Sequence, residues 1–308
     1  MRRNLILLLT AFSVALLLLT ACHARKNDSD GSTRPVVTVT IEPQAWFAKR
    51  IAGDKFDIKT MVPGGSSPES FDPSPGDLVK LADSRAYFQI GHIGFEQAWM
   101  NKLRQANPQM QVFDNSQGIA LIAGHNCADH DHDADHEEAH HDHSHGAIDP
   151  HVWESPANGL TIARNMLDAF IALDPDNRGY YEENASKLMA EITQTADSVD
   201  LLLEPLRGQS FVIYHPSLTY LADEYGLNQL AIEAGGKEPS AAQLKELIDR
   251  VRQSGARVIF IQQEFDAKNA RLIADELGLR LVPINPLSPD WGTELVNIAK
   301  ALHDGENH

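Results

Sequence analysis

Eight histidines, five aspartates and two glutamates lie between His125 and His145, in a stretch with almost no apolar side chain. Neutral imidazole is a common ligand for divalent transition metals, and carboxylates add oxygen ligands. A segment of this composition lacks the apolar surface to pack a core, so 125–145 reads as a disordered surface loop. Wrapping an ion would cost such a loop ~1–2 kcal/mol for each backbone residue fixed. His130, His132, His136, His140, His141, His143 and His145 are therefore expected to hold metal weakly, in several arrangements. Within the run, His136-Glu137-Glu138-Ala139-His140 matches the zinc-protease pattern H-E-x-x-H. That chemistry needs a buried helix that fixes both imidazoles and aims the glutamate at a metal-bound water. No apolar stripe accompanies the match, which is what chance produces in a His/Glu run. Gly236-Lys237 is no phosphate loop either, because Glu238 follows it and Ala231 stands where that motif needs glycine.

Two quieter histidines carry more. Asp149-Pro150-His151-Val152-Trp153 follows the loop directly, and Ile213-Tyr214-His215-Pro216-Ser217 sets a histidine between an expected strand and an expected helix. A histidine at the C-terminal end of a strand in a parallel sheet faces the crevice where ligands bind. Either one alone reads as structural, bonded to a backbone carbonyl; a pair in opposite halves of the chain shifts the balance toward a shared site. Glu69 lies in the turn-rich run Pro63-Gly64-Gly65-Ser66-Ser67-Pro68-Glu69 after another expected strand. Turn residues can hold a carboxylate at a strand tip, although a lone acid in a loop is usually just solvated. His92 is a spare imidazole after a further strand.

These residues need a scaffold, and the pattern supplies one. Short apolar runs at 36–41, 56–62, 86–90 and 111–113 read as strands, with helical stretches near 44–51, 75–81 and 95–105. The rhythm resumes with strands at 211–214, 229–232, 257–261 and 280–284, separated by helices near 218–225, 241–252, 267–277 and 293–302. Alternation of this kind predicts an α/β fold of two layered lobes with parallel sheets. Between them, Tyr181, Ala185, Leu188, Ile192, Ala196, Val199 and Leu203 form one apolar stripe of helical period. Asp174-Pro175 can start that helix and Pro205 stops it. At ~1.5 Å per residue, about 25 residues span nearly 40 Å, enough for one rigid helix to join both lobes. The expected lobes are 35–174 and 205–308, the linking helix is 175–204, and the ligand cleft lies between the lobes.

The N-terminus reads as an address. Arg2 and Arg3 precede an uncharged apolar run from Leu5 to Leu19, too short for a comfortable membrane span. Leu19-Thr20-Ala21-Cys22 resembles the lipobox of bacterial lipoproteins, which implies cleavage after residue 21 and lipid on Cys22. Residues 22–34 then form a polar tether, and the protein is expected to be extracytoplasmic and anchored to a bacterial membrane. Cys127 is the only other cysteine, so no structural disulfide is expected. The net charge of −17 argues against nucleic acid and suits the attraction of cations.

Taken in order, these segments resemble the metal-binding branch of ABC-transporter substrate-binding proteins, the zinc and manganese uptake lipoproteins. The likeness runs from about Val36 to His303. It includes Phe71-Asp72-Pro73-Ser74-Pro75, the His-rich insertion, Asp149-Pro150-His151-Val152-Trp153, the long helix, Tyr214-His215-Pro216, Tyr225-Gly226-Leu227 and Asn285-Pro286-Leu287. The resemblance implies Glu69, His151 and His215 as metal ligands in the interlobe cleft. The fourth place is open among Glu264, Asn285 and water. Two departures stand out: Glu69 occupies a position where the family usually has histidine, and Asn285 one where it commonly has aspartate. His92 does not match a family ligand position. Two histidines favour zinc as the transported ion, while Glu69 keeps manganese and iron in play, since oxygen ligands suit those ions better. The implied protein is a monomeric carrier without catalytic activity that delivers its ion to an ABC permease. A surface adhesin or metal store of the same fold is the alternative. A metal-dependent hydrolase would need a positioned base and a substrate pocket, for which the sequence shows no residues.

Overall fold

The computed structural model describes residues 34–124, 148–233, 237–266 and 268–306. The expected signal segment, the expected lipidation site Cys22, Cys127, the seven loop histidines named above and the H-E-x-x-H run all lie outside the described residues.

The first lobe is built from β1 (Val36–Val39), α1 (Glu42–Ala52), β2 (Asp57–Thr60), α2 (Pro75–Ala82), β3 (Ser84–Gln89), α3 (Gly94–Ala106) and β4 (Gln111–Asp114). Its strands lie in the order β2-β1-β3-β4, and every neighbouring pair is parallel. After α4 (Pro156–Leu173) and α5 (Arg178–Leu203) comes the second lobe. It consists of β5 (Ser210–Ile213), α6 (Thr219–Tyr225), β6 (Asn228–Ala231), α7 (Ala241–Ser254), β7 (Val258–Gln262), α8 (Lys268–Leu277), β8 (Arg280–Ile284) and α9 (Trp291–Glu306). Its sheet, β6-β5-β7-β8, repeats the first topology and is again parallel throughout. All five residues of β7, Val-Ile-Phe-Ile-Gln, are buried, as a central strand covered on both faces requires. In each sheet the strand order reverses between the first and third strands, which opens a crevice at their C-terminal ends.

The long helix exists as its stripe predicts. Tyr181, Ala185, Leu188, Ile192, Val199 and Leu203 are buried along α5, which packs against α4, α1 and α9 and so touches helices of both lobes. One position departs from expectation. Thr195 is buried, whereas Ala196 is only half-buried. The reason is the close approach of α9 at Gly292, where a Cβ would stand 3.0 Å from the Thr195 hydroxyl. That hydroxyl is satisfied by bonding back to the Glu191 carbonyl at 3.1 Å. Helix α4 falls inside the expected lobe 35–174, ahead of the linking helix, and is an additional element there. Its start was visible in Ser155-Pro156: the Ser155 hydroxyl accepts from the Asn158 amide at 3.1 Å and proline fills the first helical position. No described helix is long and apolar enough to cross a membrane.

The first lobe carries a buried acid at its strand ends. Glu96 accepts from the Ile90 amide at 2.9 Å, the Gly91 amide at 2.6 Å and the Thr40 hydroxyl. Burial pushes its carboxyl up to about 7, against the opposing pull of those three hydrogen bonds. A carboxyl raised on folding stabilises the native state fully below its unfolded value, and that contribution fades as pH rises through the folded one. Metal-free protein should therefore lose melting temperature, by roughly a few degrees, between pH 4.5 and pH 7.5 through this group. Glu96→Gln cannot ionise and should flatten the slope. Melting curves of both proteins across that range check this; parallel profiles would count against it.

Candidate metal site

The C-terminal ends of the two sheets supply the site. Glu69 sits in the loop after β2, His215 follows β5, Glu264 follows β7, and His151 lies on the segment that re-enters after β4. All four line one cavity together with Ser67, Pro68, Trp153, Ser217, Gln262, Phe265, Pro286 and Leu287. Glu69, His151 and His215 thus line the same cavity. Of the fourth-position candidates, Glu264 lines the cavity. Asn285 does not; its side-chain oxygen accepts from the Leu287 amide at 3.2 Å, inside its own turn. His92 also stands off the cavity lining, its carbonyl held by Gln97 at 2.9 Å.

The two imidazoles meet edge to face, with Nε2 atoms 3.2 Å apart and ring centroids 5.0 Å apart. Each is backed by a carboxylate. His151 Nδ1 lies 2.8 Å from Asp149 Oδ1, and His215 Nδ1 lies 2.8 Å from Glu233 Oε2. Neither acid was singled out from the sequence, although Asp149 stands within the quoted motif. A carboxylate can only accept, so both Nδ1 atoms carry hydrogen and both Nε2 lone pairs turn toward each other. Two lone pairs in contact need a cation between them, either a proton or a metal ion. His151 is buried and burial by itself would depress its pKa; the fields of Asp149, Glu69 and Glu233 and the Asp149 hydrogen bond outweigh that and raise it above the usual histidine value. The pocket therefore attracts positive charge before any ion arrives.

Positioning extends past the rings. Gln262 donates to the His215 carbonyl at 2.7 Å and to the Ser217 hydroxyl at 2.9 Å, which fixes the turn after β5. Phe265 stacks on the His215 ring at 5.2 Å. Trp153 ties the lobes together: its indole donates to the Pro286 carbonyl at 3.0 Å, and the Trp291 indole donates to the Trp153 carbonyl at 2.7 Å. At the neck of the 125–147 segment, Ala123 and Ile148 form an antiparallel bridge, and the Tyr220 hydroxyl donates to the Asp149 carbonyl at 2.9 Å.

Two carboxylate oxygens at this cavity, Glu69 Oε1 and Glu264 Oε1, are buried without a hydrogen-bond partner. Leaving such atoms unpaired is costly, and an absent ligand is one of the few ordinary reasons for it. Among the described residues, no three His, Cys, Asp or Glu side chains stand close enough together to hold a metal ion between them. The imidazoles already stand at ligand spacing, while the carboxylates line the same cavity without closing on them.

A family model described as ZnuA, zinc-uptake complex component A periplasmic, matches residues 37–301. The chain is 30% identical over 287 residues to the high-affinity zinc uptake system protein ZnuA of Bacillus subtilis, covering 91% of this chain and 88% of that one. It is 28% identical over 279 residues to the zinc-binding lipoprotein AdcA of Streptococcus pneumoniae, covering 89% of this chain and 54% of the relative. It thus spans about half the length of AdcA. A crystal structure of ZnuA superposes with a TM-score of 0.78 at 33% identity, over 88% of this chain and 98% of that one.

Proposed function

Because the chain belongs to the family of periplasmic component A proteins of zinc-uptake complexes, we propose that it captures one zinc ion between its lobes and delivers it to an ABC-type importer. The observation that carries this reading is the pair of carboxylate-backed imidazoles with Nε2 atoms 3.2 Å apart. Two nitrogens bound tetrahedrally to zinc at ~2.0–2.1 Å are about 3.3 Å apart, so the rings need little movement to take the ion. Glu69 and Glu264 supply the other two ligands through their unpaired oxygens. A two-nitrogen, two-carboxylate set suits zinc, and four protein ligands leave no open position for a metal-bound water, as befits a carrier and not an enzyme. Manganese is the competing cargo, since it favours oxygen ligands.

The remaining parts follow the sequence. Cys22 carries lipid, residues 22–34 tether the folded body to the outer side of a bacterial membrane, and the histidine-rich segment gathers ions beside the cleft. Deleting 126–144 should remove the weaker zinc equivalents and leave one tight equivalent. Calorimetry on the two proteins checks this, and loss of the tight equivalent would refute the division of labour. The experiment for the function itself is competitive titration with zinc and manganese, paired with zinc uptake in cells lacking the gene. One tight equivalent that prefers zinc, with uptake restored, is the expected result; tight binding without restored uptake would indicate storage.

A further inference from the structure

Glu69 reaches the cleft through a contact that occupies one of its two oxygens. Its Oε2 accepts from the amide of Gly94, the first residue of α3, at 3.2 Å. Its Oε1 is buried and unpartnered. Helix α3 has no side-chain cap of its own, because the residue before it is Ile93. Glu69, from a different segment, does the capping instead, and its charge meets the positive end of a 13-residue helix. Only glycine permits the approach: a Cβ on residue 94 would stand 2.5 Å from the Glu69 carbonyl oxygen and 3.0 Å from Oε2. The neighbouring Phe95 amide donates to the Pro68 carbonyl at 3.1 Å, and the Phe71 and Phe95 rings pack at 5.5 Å, so the whole loop is seated on this helix turn.

We propose that Gly94 is a specificity-determining position: by docking the first amide of α3 on Glu69 Oε2, it makes Glu69 a one-oxygen ligand and biases the cleft toward four-coordinate zinc. Manganese gains from additional oxygen ligands, and the second oxygen of this carboxylate is withheld from it. The inference rests on the reading of Glu69 as a ligand, and the experiment separates the two.

The full-length chain and its Gly94→Ala, Glu69→Gln and Glu69→Ala variants are titrated with zinc and manganese. Each is also loaded with cobalt(II), whose visible absorption is far more intense in four-coordinate than in five- or six-coordinate sites. Gly94→Ala displaces Glu69 from the amide and frees Oε2. Zinc affinity should fall roughly 10–100-fold, as when an outer partner of a ligand is lost. Manganese should lose less, so that the zinc-to-manganese preference drops by about tenfold, and the cobalt band should weaken. In Glu69→Gln the single carbonyl oxygen is taken by the Gly94 amide and the NH2 turns toward the ion, so zinc affinity should fall as far as in Glu69→Ala. That variant leaves α3 unaltered and is informative even if Gly94→Ala does not fold. A folded Gly94→Ala with wild-type metal preference and cobalt spectrum would overturn the inference. So would Glu69→Gln binding zinc as wild type does while Glu69→Ala does not. If Glu69→Ala itself binds zinc as tightly as wild type, the ligand reading fails, and this inference with it.

Discussion

Replacing His151 or His215 by alanine is expected to abolish tight zinc binding while the protein stays folded. Each imidazole supplies one of two facing nitrogens 3.2 Å apart, and neither has a substitute within the cavity lining. Losing a hydrogen-bond partner behind a ligand costs roughly 10–100-fold in affinity, so losing the ligand itself should exceed about a hundredfold. The fold should survive because the two residues sit on loops at the sheet ends and contribute nothing to the sheet ladders. Calorimetric titration and a far-ultraviolet circular dichroism spectrum of each variant check both halves. Wild-type affinity in either variant would remove that histidine from the site.

The second large effect belongs to the acids behind the rings. Asp149→Asn and Glu233→Gln should each lower zinc affinity roughly 10–100-fold without touching a ligand. An ionised carboxylate can only accept, so it holds hydrogen on Nδ1 and leaves Nε2 free for the ion. An amide can turn its NH2 toward Nδ1 instead, which sends the ring hydrogen to Nε2 and points it at the metal. It also removes one of the negative charges that offset the burial of His151. The loss should be smaller at acid pH, where the raised pKa of His151 makes protons compete more strongly in wild type, and should reach its full size under alkaline conditions. Titrations of both variants across a pH series test this, and affinities equal to wild type throughout would show that the acids only pack against the rings.

The architecture was legible because its periods are strong. The stripe from Tyr181 to Leu203 foretold α5, and the repeated strand–helix rhythm foretold two parallel sheets. His151 and His215 were legible as strand-end or loop-end histidines on opposite sides of the long helix. Glu233 was not. It meets His215 only because β5 pairs with β6 in the register Ile213↔Ala231, and the same offset carried two residues onward sets 215 beside 233. A register is a property of the folded sheet, and no local pattern encodes it. Gly94 was hidden for the same reason, since its need for a missing side chain arises from a loop 25 residues upstream. Glu264 and Asn285 were equivalent in sequence; the Asn285 turn, closed by the Leu287 amide and by Glu294 at 2.7 Å, separates them in space.

The central claim is that one zinc ion sits between the two lobes, and crystallography at the zinc absorption edge addresses it most directly. Crystals of the full chain carrying one equivalent of zinc should give a single strong anomalous peak. It should lie ~2.0–2.2 Å from His151 Nε2, His215 Nε2 and one oxygen each of Glu69 and Glu264. An empty cleft with the two imidazoles still 3.2 Å apart, and zinc bound to other residues, would contradict the account.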